Sequence, residues 1–228
     1  MHDAPLIGPY NPDGVLAWEA DGPRTARQFL SDVSRLADSV PDRPAVLNLL
    51  SSRYEFLVGF AAAMLRGQIT LLPQSRAPQT LRRIAGDYRE SYCLTNQDEP
   101  VEGIESVFLR SHGSLAAWPT RIPHIPLDQV AAIAFTSGST GQPMPNRKTW
   151  GALTAVARAT GARLQLTTGD QATVVATVPH QHMFGLEASV MLPIVHGLVM
   201  HAGRPLFPAD IRDALAEVAG KRILVTTP

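Results

Sequence analysis

The sequence is nearly without cysteine. Cys93 is the only one in 228 residues, which excludes an internal disulfide and fits a reducing compartment, with the cytoplasm as the expected location. Charge of one sign is also missing: Lys plus Arg number 20 and Asp plus Glu number 20. No basic block and no Arg/Lys stripe interleaved with aromatics occurs, so a nucleic-acid partner has no electrostatic footprint. No apolar run approaches the ~18 residues that a bilayer-spanning helix needs. The N-terminal MHDAPLIGPYNPDG lacks the basic and apolar regions of a secretory signal. Ser137, Ser139 and Ser189 have no G-x-S-x-G elbow to activate them, which argues against a serine hydrolase.

What is present is ample core material, 45% hydrophobic residues, arranged in an alternating order. Val15–Trp18 reads as an edge strand. Thr25 and Gln28 form a capping-box pattern ahead of a helix over Ala26–Val40, which Pro41 ends. Ala45–Leu50 is a buried strand, Tyr54–Arg66 a helix closed by Gly67, Ile69–Leu72 a strand and Gln79–Tyr88 a helix. Tyr92–Thr95 and Ser106–Leu109 are further strands. Residues 110–127 hold prolines and no periodicity, and read as a linker. Beyond it, Thr149–Leu164 reads as a helix and Ala172 opens a β-branched strand. Glu187–His196 follows as a helix, Leu198–Ala202 as a strand, Pro208–Ala219 as a helix and Ile223–Thr227 as a strand. This alternation predicts an α/β fold of mostly parallel sheets covered by helices.

The chemistry-bearing stretch is Ala131–Trp150. An apolar run over Val130–Phe135 breaks into six small residues, Thr136, Ser137, Gly138, Ser139, Thr140 and Gly141, ahead of Pro143. Glycines allow a close backbone approach, and hydroxyls and N–H groups offer donors to concentrated negative charge, so the loop suits phosphate. An ordinary Ser/Gly-rich surface turn has the same composition. Gly138 and Gly141 fit neither G-x-x-x-x-G-K-[ST] nor G-x-G-x-x-G.

The run TSGSTGQP does resemble, position by position over Thr136–Pro143, the phosphate loop [ST]-S-G-[ST]-T-G-x-P of the AMP-forming adenylating superfamily. That family includes acyl- and aryl-CoA synthetases, peptide-synthetase adenylation domains and luciferases. The resemblance implies that Thr136, Ser137, Gly138, Ser139, Thr140 and Gly141 bind the β- and γ-phosphates of ATP, with Thr140 also touching Mg²⁺. The family's lysine after the proline is replaced by Met144; Lys148 is the candidate substitute charge, or else a solvated lysine at the start of the next helix. That helix start would lie near the loop and favour an anion. The PMPNRKTW wording resembles ligases of aryl-polyene and xanthomonadin-type pigment pathways, which implies an aromatic acid.

A second candidate follows the strand that opens at Ala172, in VPHQHMFGL. Taken alone, His182 reads as a core or capping histidine, and with His180 as an incomplete zinc pair. Position at a strand's C-terminal end favours a ligand crevice. In the resembled family a P-x-x-H-x-[aromatic]-G element stands here. Pro179, His182, Phe184 and Gly185 match it, which implies that His182, Phe184 and Gly185 line the acyl pocket and thiol channel.

The resemblance also implies that residues 1–228 are the first part of a large AMP-binding domain. The rest of that domain and a small C-terminal domain carrying the catalytic lysine would be absent, and this piece alone inactive. The full enzyme would join a small carboxylic acid to the thiol of CoA or of a carrier protein's phosphopantetheine, at the expense of ATP. A non-catalytic nucleotide-binding or carrier-docking module, and a half that works only with a separately encoded second half, remain as alternatives.

Overall fold

A computed structural model of the chain describes residues 2–96, 100–101, 103–109, 121–137, 143–167 and 170–227, with 136, 137 and 143 described by their backbone alone. In chain order the elements are β1 (Asp3–Pro5), β2 (Val15–Glu19), β3 (Gly22–Thr25), α1 (Ala26–Ser39), β4 (Ala45–Asn48), α2 (Arg53–Leu65) and β5 (Ile69–Leu72). There follow α3 (Pro78–Asp87), β6 (Ser91–Thr95), β7 (Ser106–Phe108), β8 (His124–Pro126), β9 (Val130–Ser137), β10 (Pro143–Thr149) and α4 (Trp150–Arg163). The last part holds β11 (Ala172–Ala176), α5 (Met183–Gly185) running through a π-helical stretch (Leu186–Met191) into α6 (Leu192–His196), β12 (Val199–His201), α7 (Pro208–Glu217) and β13 (Lys221–Val225).

Local signals set many of these boundaries. Gln28 N donates to Thr25 Oγ1 at 3.1 Å and Thr25 N to Gln28 Oε1 at 2.7 Å, so the capping box starts α1 where its sequence pattern places it. Gly67 ends α2 at φ +69°, the left-handed region where a side chain would be strained. In the π-helical stretch Leu192 N donates to Glu187 O, and Pro193, which has no N–H, follows directly.

Two larger sheets result. The first has the order β10-β9-β5-β4-β6-β7 and is parallel except for β10; the second has the order β13-β11-β12-β2-β3 and is parallel except for β3. A two-stranded antiparallel sheet joins β1 and β8. Mostly parallel strands with helices between them match the expected α/β class. Three local expectations change. Val15–Trp18 is not an edge, because β2 pairs with β12 on one side and β3 on the other. The proline-bearing stretch 121–127 contributes β8, while 110–120 lie outside the described residues. The segment after the candidate phosphate loop is a strand, so its prolines sit on a sheet edge, where a missing N–H costs no ladder bond.

Helix α2 occupies the middle. All its residues are buried except Glu55 and Leu65, as expected for a helix with no polar face. The largest hydrophobic cluster joins α1, α2 and α4 to strands of both larger sheets, through Val46, Leu72 and Ala132 on one side and Leu16, Ala17 and Met200 on the other.

Candidate functional site

Strand β9 is interior, and Ala131 to Phe135 are buried on both faces of the sheet. Its last two residues are held by β10: Thr136 pairs with Met144 and Ser137 with Pro143. Both flanks of 138–142 therefore end in one antiparallel ladder, at the C-terminal end of a strand whose other neighbour, β5, is parallel. Gly138, Ser139, Thr140 and Gly141 themselves lie outside the described residues. Met144 is 61% exposed. Lys148 pairs with Ala132, four residues and ~13 Å along the strand from Met144. A role for its charge thus requires the phosphates to extend along β10.

The expectation that a helix N-terminus lies beside the loop is corrected here. Helix α4 begins at Trp150, capped by Thr149, whose Oγ1 accepts from Ala152 N at 3.2 Å. The seven-residue strand β10 stands between the loop and this cap. A helix dipole acts over about its first turn, so α4 adds nothing at the phosphate segment.

The second cluster forms where β11 leaves its sheet. His180 is buried, with its ring centroid 4.7 Å from that of Phe56, and its Nε2 donates to the Leu50 carbonyl at 3.2 Å. A carbonyl can only accept, which sets the tautomer. Burial, and then the Arg53 charge, hold the imidazole neutral with a pKa pushed down to about 3. Gln181 Nε2 at 3.0 Å and Arg76 Nη2 at 3.4 Å donate to the same Leu50 oxygen. The segment after β11 is thereby fastened to the end of β4, across the two sheets.

Arg53 is the second fastening. It is fully buried at the start of α2, and its guanidinium donates to the carbonyls of His201 (2.6 Å), Gly203 (2.8 Å), Ala176 (3.2 Å) and Val178 (3.3 Å), while Nε donates to Ser189 Oγ (3.0 Å). Burial, with the Arg204 charge nearby, lowers its pKa to about 10, which leaves it charged at neutral pH. One side chain thus holds the C-terminal ends of β11 and β12 against α2. Ser189 Oγ in turn donates to Gly185 O at 2.6 Å.

His182 and Phe184 sit on the open side of this clamp. His182 is the N-cap of α5 and exposed, with no side-chain cap hydrogen bond, and Phe184 is 50% exposed. Gly185 is buried, and a Cβ there would lie 1.9 Å from the Pro179 carbonyl oxygen, so only glycine fits. Of the two histidines, His180, which the sequence offers only as half of an incomplete zinc pair, is the one built into the scaffold. Among the described residues no group of three His, Cys, Asp or Glu could hold a metal ion. Cys93 is buried, with its thiol pushed up to about 12, and is chemically quiet.

The two clusters share a location. Leu50 follows β4, Ser137 ends β9, and β4 and β9 flank β5, so their ends lie about two strand spacings, ~10 Å, apart. The space outside the C-terminal ends of parallel strands is where open α/β sheets bind ligands. Arg53 and Arg76 carry no motif, and sequence reasoning passes over them. Among the described residues, no helix is long and apolar enough to cross a membrane.

Comparison with known proteins adds three findings. The family described as AMP-binding enzyme matches residues 22–227. The acyl-CoA ligase sidI of Beauveria bassiana is 33% identical over 114 residues, which are 50% of this chain and 18% of that ligase. Among solved structures, the O-succinylbenzoate coenzyme A synthetase MenE from Bacillus subtilis, in complex with ATP and magnesium ion, aligns with a TM-score of 0.73 at 18% identity, over 96% of this chain and 63% of that one. ATP-bound MatB from Rhodopseudomonas palustris gives 0.73 at 19% identity, over 92% and 46%. The chain therefore spans less than two thirds of each of these relatives, and the structural likeness at such identities is a likeness of fold.

Proposed function

The chain belongs to the AMP-binding enzyme family, and from that premise we propose that it is the N-terminal part of an ATP-dependent, AMP-forming ligase that couples a small carboxylic acid to a thiol. The observation that carries this reading is the eight-residue match over Thr136–Pro143, whose two flanks are paired at the C-terminal end of an interior strand. In the reaction a carboxylate oxygen attacks the α-phosphorus of ATP and pyrophosphate leaves. The thiol of CoA or of a carrier protein then attacks the acyl carbon, and AMP leaves. An aromatic acid is the substrate class that the pigment-ligase wording favours.

Two anions must meet in the first step, so positioning and charge neutralisation dominate the barrier. In this reading Thr136, Ser137, Gly138, Ser139, Thr140 and Gly141 hold the β- and γ-phosphates, and Lys148 is engaged if these extend along β10. Mg²⁺, when bound, neutralises phosphate oxygens. The Thr140 hydroxyl is the candidate protein ligand, a hard oxygen donor of the kind Mg²⁺ takes. His182, Phe184 and Gly185 border the acyl pocket, which the Arg53 and His180 fastenings keep in place. Carboxylate-dependent ATP–pyrophosphate exchange across a panel of acids tests the reading, on this chain and on one extended by the rest of the large domain and the small C-terminal domain. Exchange with the extended chain and little with this one is the expected result; saturable ATP binding with no exchange in either would overturn it. That second outcome is the alternative, a non-catalytic nucleotide-binding or carrier-docking module, which Met144 in the lysine position favours.

A further inference from the structure

A cavity of about 380 Å³ opens where the β2–β12 pair of the second sheet meets the end of α7, and Trp18, Glu19, Ala20, His201, Glu217 and Val218 line it. Trp18 and His201 are register partners on the two parallel strands, and Glu217 is the last residue of α7. Two carboxylates thus border the cavity, and among the described residues no arginine or lysine does. Glu19 is held in place: Ser52 Oγ, at the N-cap of α2, donates to its Oε1, which leaves Oε2 without a hydrogen bond among the described residues. Glu217 is 72% exposed, and its Oε2 lies 3.9 Å from His201 Nε2, too far for a hydrogen bond. Cations on neighbouring elements are engaged elsewhere. Arg24, whose charge acts on Glu19, donates through Nη2 to Asp21 at 2.5 Å, and Arg222 Nε donates to the Val218 carbonyl at 3.1 Å. Arg204 lines a second cavity of about 390 Å³ that shares only His201 and Glu217 with the first, and Asp210 and Asp213 line that one with it.

We propose that the first cavity binds an organic ammonium ion. With His201 neutral, its two glutamates face no basic side chain within it, so a cation relieves their repulsion and an anion adds to it. Trp18 is left 38% exposed, and an indole is the best of the aromatic rings at holding a cation over its face. Ala20 and Val218 supply apolar wall for the carbon skeleton. The volume falls in the range of small-molecule sites. A metal ion is the poorer occupant: among the described residues no group of three His, Cys, Asp or Glu could hold one, and an indole has no lone pair to offer it. Through Glu19 and Ser52 the ligand is anchored to the start of α2, the helix that both larger sheets share. None of the lining residues belongs to the phosphate segment or to His182–Gly185, and the proposal does not depend on the ligase reading.

The test is a ¹H–¹⁵N NMR titration of the chain with benzylammonium, with tetramethylammonium and, as an uncharged control, with benzyl alcohol. It is run at equal ionic strength and about pH 7.5, where a free histidine side chain is mostly neutral. Saturable shifts of the Trp18 indole N–H and of the Ala20 and Glu217 amides are expected with the cations, and binding at least about tenfold weaker with the alcohol. Tighter binding of benzylammonium assigns a primary amine that donates to the carboxylates; tighter binding of tetramethylammonium, which has no N–H, assigns a quaternary ammonium held by the indole. Glu19→Gln combined with Glu217→Gln keeps the shape and an acceptor for Ser52, so the melting temperature should hold while cation binding weakens at least about tenfold. Trp18→Leu should weaken it several-fold. Absence of saturable shifts with both cations, benzyl alcohol binding as tightly as benzylammonium, or cation binding unchanged in the double variant would overturn the proposal.

Discussion

Gly185 has φ −65° and ψ −44°, a helical conformation that any residue adopts, so its identity is fixed by space. An added methyl group would overlap the Pro179 carbonyl oxygen at 1.9 Å. That atom is backbone and cannot swing away. Gly185→Ala should therefore cost about 2–4 kcal/mol, read as a lower urea midpoint, and should shift His182 and Phe184 by moving α5 off the end of β11. His180 sets a pH dependence of definite sign. Its pKa is about 3 in the folded chain against 6.5 for a free histidine side chain. Below about pH 6.5 the unfolded chain takes up a proton that the folded chain refuses. The stability this residue contributes is complete above that pH and falls toward pH 3, by roughly 1.4 kcal/mol per pH unit. Urea unfolding between about pH 7 and 4 should show this slope, and His180→Gln, which keeps a donor for Leu50 O, should remove it. Equal slopes in the two proteins would refute the assignment.

At the scale of elements β10 is the most informative. It forms one edge of the first sheet, and Pro145, opposite Phe135, has no N–H to offer there. A proline that removes a donor from an edge makes pairing with another chain harder. Pro145→Val restores a donor and a strand-forming side chain, and light scattering at matched concentration should then report greater self-association; unchanged scattering would deny the proline that protective role. The same strand shows what a sequence conceals. Pro143-x-Pro145 reads as a break, because a proline belongs in a strand only at an edge, and edge position is a property of the whole sheet. Local signals were legible: Thr25 and Gln28 fix the start of α1, and Gly67 fixes the end of α2. The long-range ones were not. Whether His180 or His182 turns inward depends on the Leu50 carbonyl, 130 residues earlier, and Arg53 reads as a surface charge until its partners 123 to 150 residues away are known. The phosphate segment was legible as a motif alone.

For the molecule as a whole the question is whether the two larger sheets unfold together. They share α2, which is apolar nearly all round and packs in one cluster with both. Arg53, at the start of α2, ties that shared helix to carbonyls at the ends of β11 and β12. Replacing it by methionine keeps much of the volume and leaves several buried carbonyls and the Ser189 hydroxyl without their donor. Each such group costs about 1–3 kcal/mol unless water reaches it, so Arg53→Met should lose roughly 3–5 kcal/mol in all. Native-state hydrogen exchange distinguishes where that loss falls. If the shared helix makes one cooperative unit, the slowest amides of β4 and β5 and those of β11 and β12 lose protection by the same amount, because both report global opening. If the sheets open separately, β11 and β12 lose protection while β4 and β5 keep theirs. The buried guanidinium ties the shared helix to the second sheet, and that helix packs in one cluster with the first, so the first outcome is expected. It would make the geometry of the His180–Gly185 segment as stable as the whole fold.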